Sequence, residues 1–340
     1  MQYEITKHQT LFNDKGCLHM TGWAKKLVLQ YDRDDSKAFR FQMRERDGYY
    51  IYNDRCALHL SVGNYGKKGV VSASIADFEK GTIHSCYIKK SLPKGKLRMS
   101  LSSDNGDVTY TDSRVGIKFS KASDARFIKC EFINFYDGKT LYVNLKLADN
   151  TVDSIVNVIP FENSKSSFLY KQFVPAMTVS GVVRCGGDDY YFDDSNSFAV
   201  LNWSRCALPK CKEHFSINAS GMYHSNSFAL NLCSGIGDEK RGSQNAVFVN
   251  GKIVKLGFVK IEHSKTSALL EKPWYITDDE GKLDMVFTPI ITTHTNSAMA
   301  VKIDDRIIVY GTMAGNIFDN DKLNISLNDF PACLEITKFV

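Results

Sequence analysis

Apolar and polar residues alternate with a period of two along most of this chain. Leu141, Val143, Leu145 and Leu147 alternate with Tyr142, Asn144 and Lys146, and Phe228, Leu230 and Leu232 alternate with Ala229 and Asn231. Phe39, Phe41 and Met43 alternate with Arg40, Gln42 and Arg44; Met299, Val301 and Ile303, then Leu323, Ile325 and Leu327, repeat the pattern. Such alternation predicts strands with one buried face. Between the runs sit turn dipeptides, Asp47-Gly48, Asn105-Gly106, Asp137-Gly138, Asn250-Gly251 and Glu280-Gly281, of the kind that closes hairpins. The pattern predicts an all-β chain of short antiparallel strands, and only the stretches 24–30 and 163–171 resist it.

At 340 residues the chain is long enough for about two domains. The polar cluster from Glu162 to Ser167 lies near the midpoint and predicts a division there, into β-barrel-like units 1–170 and 171–340 that can share strands. A short echo, Tyr49-Tyr50-Ile51-Tyr52 against Tyr190-Tyr191-Phe192, each leading into a strand, fits a duplication and chance equally.

Charge and cysteine content narrow the class. Lys and Arg total 43 against 38 Asp and Glu, for a formal charge of +5 with both signs interspersed, so no basic stripe marks a nucleic-acid footprint. No window reaches the length of a signal-peptide core or a membrane span, and nine scattered cysteines without a C-x-x-C fit reduced thiols. The expectation is a cytoplasmic protein without membrane insertion.

The stretch from Leu201 to Lys252 concentrates polar groups within apolar alternation, where burial would oblige them to find partners. It contains Trp203-Ser204-Arg205, Asn231, Gly235-Ile236-Gly237-Asp238 and Gln244-Asn245. Together with Gly22-Trp23-Ala24-Lys25-Lys26, Tyr31-Asp32-Arg33, Glu45-Arg46-Asp47-Gly48-Tyr49-Tyr50, Asn250-Gly251-Lys252 and Pro273-Trp274, this ordered series resembles a bacterial family known as domain-of-unknown-function family 2804. That family looks related to the tandem lipocalin-like proteins, among them carotenoid hydratases and some cyclases. The resemblance implies two lipocalin-like barrels, or strongly curved sheets, in tandem, with an apolar ligand in or between their mouths. It also implies carboxylates at two positions where this chain carries Asn202 and Gln244. An amide keeps the shape and hydrogen bonds of a carboxylate but carries no proton at neutral pH.

Within this frame, Asp238, Arg205 and His214 are the candidate catalytic residues, and Asn202, Trp203, Asn231, Gln244, Asn245, Trp274 and Tyr49 the candidate ligand contacts. Arg205 suits an anionic ligand group, and an ion pair with Asp238 accounts for it equally. Asp238 serves as a general base only if burial raises its pKa; as a turn residue it needs one backbone amide, and that reading is preferred. Cys206, Cys211, His214 and His224, spaced C-x4-C-x2-H-x9-H, match no common zinc pattern, so no metal and no cofactor is expected. Two functions remain: binding of a small, largely apolar molecule, which the amides favour, or a hydratase, isomerase or cyclase in which Asp238 or a histidine moves a proton. Carbohydrate recognition by aromatic side chains is a weaker third.

Overall fold

The computed structural model describes residues 2–91, 97–162, 164–209, 211–263, 270–319 and 323–339. It is all-β, with antiparallel strands forming two curved half-barrel sheets in tandem; a short parallel pair, Gln9–Thr10 with Leu29–Gln30, stands apart. In the first sheet the strands run, edge to edge, Thr82–Ser91, Lys68–Asp77, Cys56–Asn64, Met43–Tyr52, Phe198–Ala207, Ser164–Cys185, Lys139–Ala148, Ala125–Tyr136, Val115–Lys121 and Val108–Thr111. In the second they run Lys252–Lys255, Ala246–Val249, Asn226–Ser234, Cys211–Tyr223, Leu323–Phe339, Arg306–Asp319, Leu283–Pro289, Trp274–Asp278 and Val259–Glu262. Among the described residues no helix is long and apolar enough to cross a membrane.

Each sheet curls around an apolar core of its own, one built on residues such as Ile51, Leu58, Leu145, Val179 and Trp203, the other on Leu230, Trp274, Phe287, Val309 and Leu334. A third core lies between them. Tyr50, Tyr52, Val70, Phe173 and Val200 from the first sheet meet Ala229, Phe248, Met299, Ile308 and Tyr310 from the second. The strands that supply it are therefore buried on both faces: along Met43–Tyr52, Tyr49 and Ile51 enter the first half-barrel while Tyr50 and Tyr52 enter the layer between. Polar residues in that layer bond across it, Tyr52 Oη donating to Asn218 Oδ1 at 2.6 Å and the Ser74 and Tyr310 hydroxyls sharing a hydrogen bond at 2.6 Å.

Most of the predicted turns are where the sequence puts them. Asp137-Gly138, Asn250-Gly251 and Glu280-Gly281 each join consecutive strands, and Asn250 and Gly251 both have positive φ (49° and 72°), the backbone a two-residue hairpin needs. Asp47-Gly48 is no turn: it lies in the middle of Met43–Tyr52, where Asp47 pairs with Arg205 and the Arg46 side chain lies over Gly48, so close that a Cβ there would sit 2.9 Å from Nη2. Phe39 and Phe41 are exposed and precede the strand, which begins at Met43. The polar cluster at 162–167 is not a linker either. Ser164–Ser167 open the strand Ser164–Cys185, which pairs with Ile155–Phe161 inside the first sheet, and the last strand of the first sheet ends at Ala207 while the first of the second begins at Cys211. Both copies of the tyrosine echo lie in the first sheet, so they do not relate the two halves.

Candidate functional site

The strand Phe198–Ala207 divides its side chains by period two. Leu201 and Trp203 belong to the core of the first half-barrel, whereas Val200 enters the layer between the sheets and Asn202, Ser204 and Cys206 line a cavity there. The opposite wall comes from the second sheet, with His214, Gln244, Arg306, Glu335 and Thr337, and Arg46, Tyr65 and Lys171 complete the first-sheet side. The cavity measures about 70 Å³, room for roughly five water molecules. Its lining is graded. Leu169, Leu208 and Ile236 line it as apolar walls, beside the small cluster of Ile159, Leu169, Cys206 and Ile236, while Arg46, Arg306 and Glu335 supply charge.

Charge is organised around Glu335. Arg46 Nη1 donates to Glu335 Oε1 at 3.1 Å, the Tyr50 hydroxyl donates to Oε2, and Arg306 Nη1 lies 3.5 Å from Oε2. Arg46 Nη2 also donates to the Tyr50 hydroxyl at 3.2 Å and reaches His59 Nε2 at 3.1 Å; since a guanidinium only donates, Nε2 accepts and the His59 proton sits on Nδ1. Burial pushes the Glu335 carboxyl toward its neutral form, but Arg46, Arg306, the Tyr50 hydroxyl and Lys171 outweigh it and hold its pKa well below the usual range. Burial, reinforced by Arg46 and Arg306, depresses His59 strongly. Burial with Lys171 beside it brings His214 down to about 4, so this imidazole is neutral at physiological pH.

The polar atoms of the amides are unfinished. Gln244 is buried and neither its Oε1 nor its Nε2 has a hydrogen-bond partner among the described residues; the same holds for Asn202 Oδ1. Buried amide atoms are ordinarily paired, and two incomplete amides in the wall of one cavity mark a place where something else supplies the bonds.

Of the residues singled out in the sequence, Asn202, Gln244 and His214 meet at this cavity. Asn231 and Asn245 lie behind it and brace the backbone: Asn231 Nδ2 donates to Gln244 O at 2.8 Å, and Asn245 accepts from Cys233 N at 2.7 Å and donates to Gly257 O at 3.0 Å. Arg205 does not meet Asp238. It is fully buried against the first half-barrel, paired with Asp47 at 2.8 Å and lying over the Trp203 ring at 4.2 Å. Tyr49 and Trp203 belong to the core of the first half-barrel and Trp274 to that of the second. Asp238 occupies a turn, accepting from Lys240 N at 3.2 Å and pairing with Arg241 at 3.2 Å. Cys206 and His214 share the cavity, but burial pushes the Cys206 thiol up to about 12, far from a thiolate. His224 is exposed in the turn after Cys211–Tyr223, and the side chain of Cys211 lies outside the described residues.

Of the residues that organise the site, Glu335, Arg306, His59 and Lys171 escaped the sequence reading, and Arg46 and Tyr50 appear in the family series without a role. Glu335 sits among alternating residues, where a charge reads as the solvent face of a strand, and Arg46 lies in the charged run Arg44-Glu45-Arg46-Asp47.

Fold and site together define a protein of two tandem half-barrels, each curled on its own apolar core, with a small, mixed-polarity cavity between them. The chain belongs to the domain of unknown function family DUF2804, whose model matches residues 2–339. No curated protein matches its sequence. Among solved structures it is similar to kievitone hydratase from Nectria haematococca, at 9% identity and a TM-score of 0.53 over 97% of this chain and 98% of that one. It is also similar to a Nitrosomonas europaea protein provisionally named AttH, at 11% identity and a TM-score of 0.53 over 92% and 97%. At these identities the likeness is one of fold.

Proposed function

We propose that this protein binds a small molecule in the cavity between its half-barrels, holding an apolar portion against Leu169, Leu208 and Ile236 and a polar portion against Asn202 and Gln244. The observation that carries this reading is the set of buried Gln244 and Asn202 atoms left without partners in the wall of one cavity. Binding without acid–base turnover at these two positions follows from their chemistry, because an amide neither takes nor gives a proton at neutral pH.

The competing reading is a hydratase or isomerase, and the fold shared with a kievitone hydratase favours it. In that case His214 is the one imidazole lining the cavity among the described residues, and a pKa of about 4 makes it a weak base and no acid at neutral pH. Carbohydrate recognition draws no support, since Trp203 and Trp274 are core residues.

Native mass spectrometry of the purified protein identifies the co-purifying ligand, and turnover of that ligand then separates the readings. The unchanged protein is expected to retain it unaltered, and the double variant Asn202→Asp plus Gln244→Glu to convert it faster, general acid–base assistance being worth about a hundredfold to ten-thousandfold. Rapid conversion by the unchanged protein, undiminished in rank by the double variant, gives the site to the enzyme reading and to His214.

A further inference from the structure

The cavity carries more positive charge than it can neutralise. Its lining includes Arg44, Arg46, Lys171 and Arg306 against Asp305 and Glu335, with His214 neutral. Arg44 is matched by Asp305 at 2.6 Å. That leaves Arg46, Arg306 and Lys171 around a single carboxylate, Glu335. Burying unmatched charge is costly, and a protein that keeps it has a use for a counter-charge.

Donor accounting agrees with the charge. Arg46 Nε and Arg306 Nε and Nη1 are buried and make no hydrogen bond among the described residues; Arg306 has acids only at ion-pair range, Asp305 at 3.8 Å and Glu335 at 3.5 Å. Arg306 is 3% exposed, and among the described residues its side chain makes one hydrogen bond, from Nη2 to the Tyr65 hydroxyl at 3.2 Å. With Gln244 Nε2, the unsatisfied groups in the cavity wall are mainly N–H donors, three of them on two guanidinium side chains. A second groove of about 360 Å³ shares Arg44, Asp305 and Arg306 with the cavity and adds Lys68, Lys302, Asp304 and Lys338, of which Lys68 pairs with Asp304 at 2.5 Å and Lys338 with Glu213. Cations outnumber carboxylates in that lining as well, a balance that favours anions.

Resting on the binding reading above, we infer that the polar end of the ligand is a carboxylate, received by Arg306, Arg46 and Lys171 with its carbon chain toward Leu169, Leu208 and Ile236. A guanidinium fork matches a carboxylate in shape as well as charge. The apolar walls ask for a carbon chain behind the anion, which inorganic phosphate lacks; a phosphate monoester shares the chemistry and is separated by experiment.

Butyrate, 1-butanol and butyl phosphate, of one chain length and differing in head group, are titrated into the full-length protein by ligand-observed saturation-transfer NMR at low salt. Butyrate is expected to bind about tenfold or more tighter than butanol, the scale of one charge-assisted hydrogen bond. Arg306→Gln is expected to weaken butyrate about tenfold or more and to bring its affinity down to that of butanol. Lys171→Gln, at a partly exposed position, weakens butyrate in the same direction and supplies the result if the first variant fails to fold. Butanol binding as tightly as butyrate overturns the carboxylate and leaves the cavity as a binding site. Butyl phosphate outcompeting butyrate overturns the carboxylate in favour of a phosphate ester. Failure of all three to bind at their solubility limits overturns the binding reading itself.

Discussion

Arg205 and Arg46 stand on neighbouring, antiparallel strands, in register with Glu45 and Ser204 respectively, and point to opposite faces of the same sheet. Both are buried. Arg205, on the inner face, is finished: Nη1 donates to Asp47 at 2.8 Å and to Ser204 O at 2.9 Å, Nε and Nη2 donate to Ser100 O at 3.1 and 2.6 Å, and its plane lies over Trp203. Glu45 beside it is in turn held by Arg33 and by the Tyr31 hydroxyl. Arg46, on the outer face, meets Glu335, Tyr50 and His59 yet keeps a buried Nε–H without an acceptor, next to a second arginine in the same condition and two incomplete amides. Burial and charge are thus poor guides to function when taken alone. Completeness of hydrogen bonding separates Arg205, which holds a barrel together, from Arg46, whose Nε–H has no acceptor among the described residues.

The largest expected effect tests the finished side. Arg205→Met leaves Asp47 buried without its partner and Ser100 O without donors, and should cost about 3–5 kcal/mol in denaturant unfolding, the range for breaking a buried pair. A loss below about 1 kcal/mol, typical of exposed pairs, would erase the contrast.

Next comes the pH dependence of the open side. Between the ordinary value of 6.5 and about 4, the unfolded chain protonates His214 and the folded chain does not, so stability falls as pH falls through that window. The loss from this one group is on the order of 3 kcal/mol once pH is below the folded value. His59, depressed in the same sense, adds to it. His214→Gln should flatten the stability profile between those limits by about one proton, read from unfolding midpoints across pH; an unchanged slope would remove His214 from the buried, neutral state described here.

The smallest effect has the opposite sign. Gln244→Leu discards two unpaired polar atoms for an apolar side chain of similar size, and should leave stability unchanged or raise it by about 1 kcal/mol while abolishing ligand retention. A marked destabilisation would show that Gln244 is structural, as Arg205 is.

The sequence carried the fold further than the site, for a physical reason. Period-two runs such as Leu141–Leu147 and the Asp137-Gly138 and Asn250-Gly251 hairpins are local signals, and they appear as strands and turns in the structure. Asp47-Gly48 carries the same local signal but sits mid-strand, since pairing of Asp47 with the distant Arg205 fixes the backbone there. Asn202 and Gln244 attracted attention through the family resemblance, and both line the cavity. Glu335 gave no such sign, and Arg46, although inside the Glu45–Tyr50 run of the family series, carried no role there. Alternation distinguishes residues that enter their own barrel from those that do not, but it cannot tell a face turned to water from one turned to a second sheet.

Arg46 and Glu335 are separated by 289 positions along the chain. Closing so long a loop is entropically costly and slow, and each sheet must form before its outer face can dock. The cavity exists only when the outer faces of the two sheets are docked, because its walls come from both. Any molecule lodged in it acts as a clasp on that docking, favouring the docked state by mass action. Under the binding reading proposed above, stability of the docked state would rise with the concentration of that molecule.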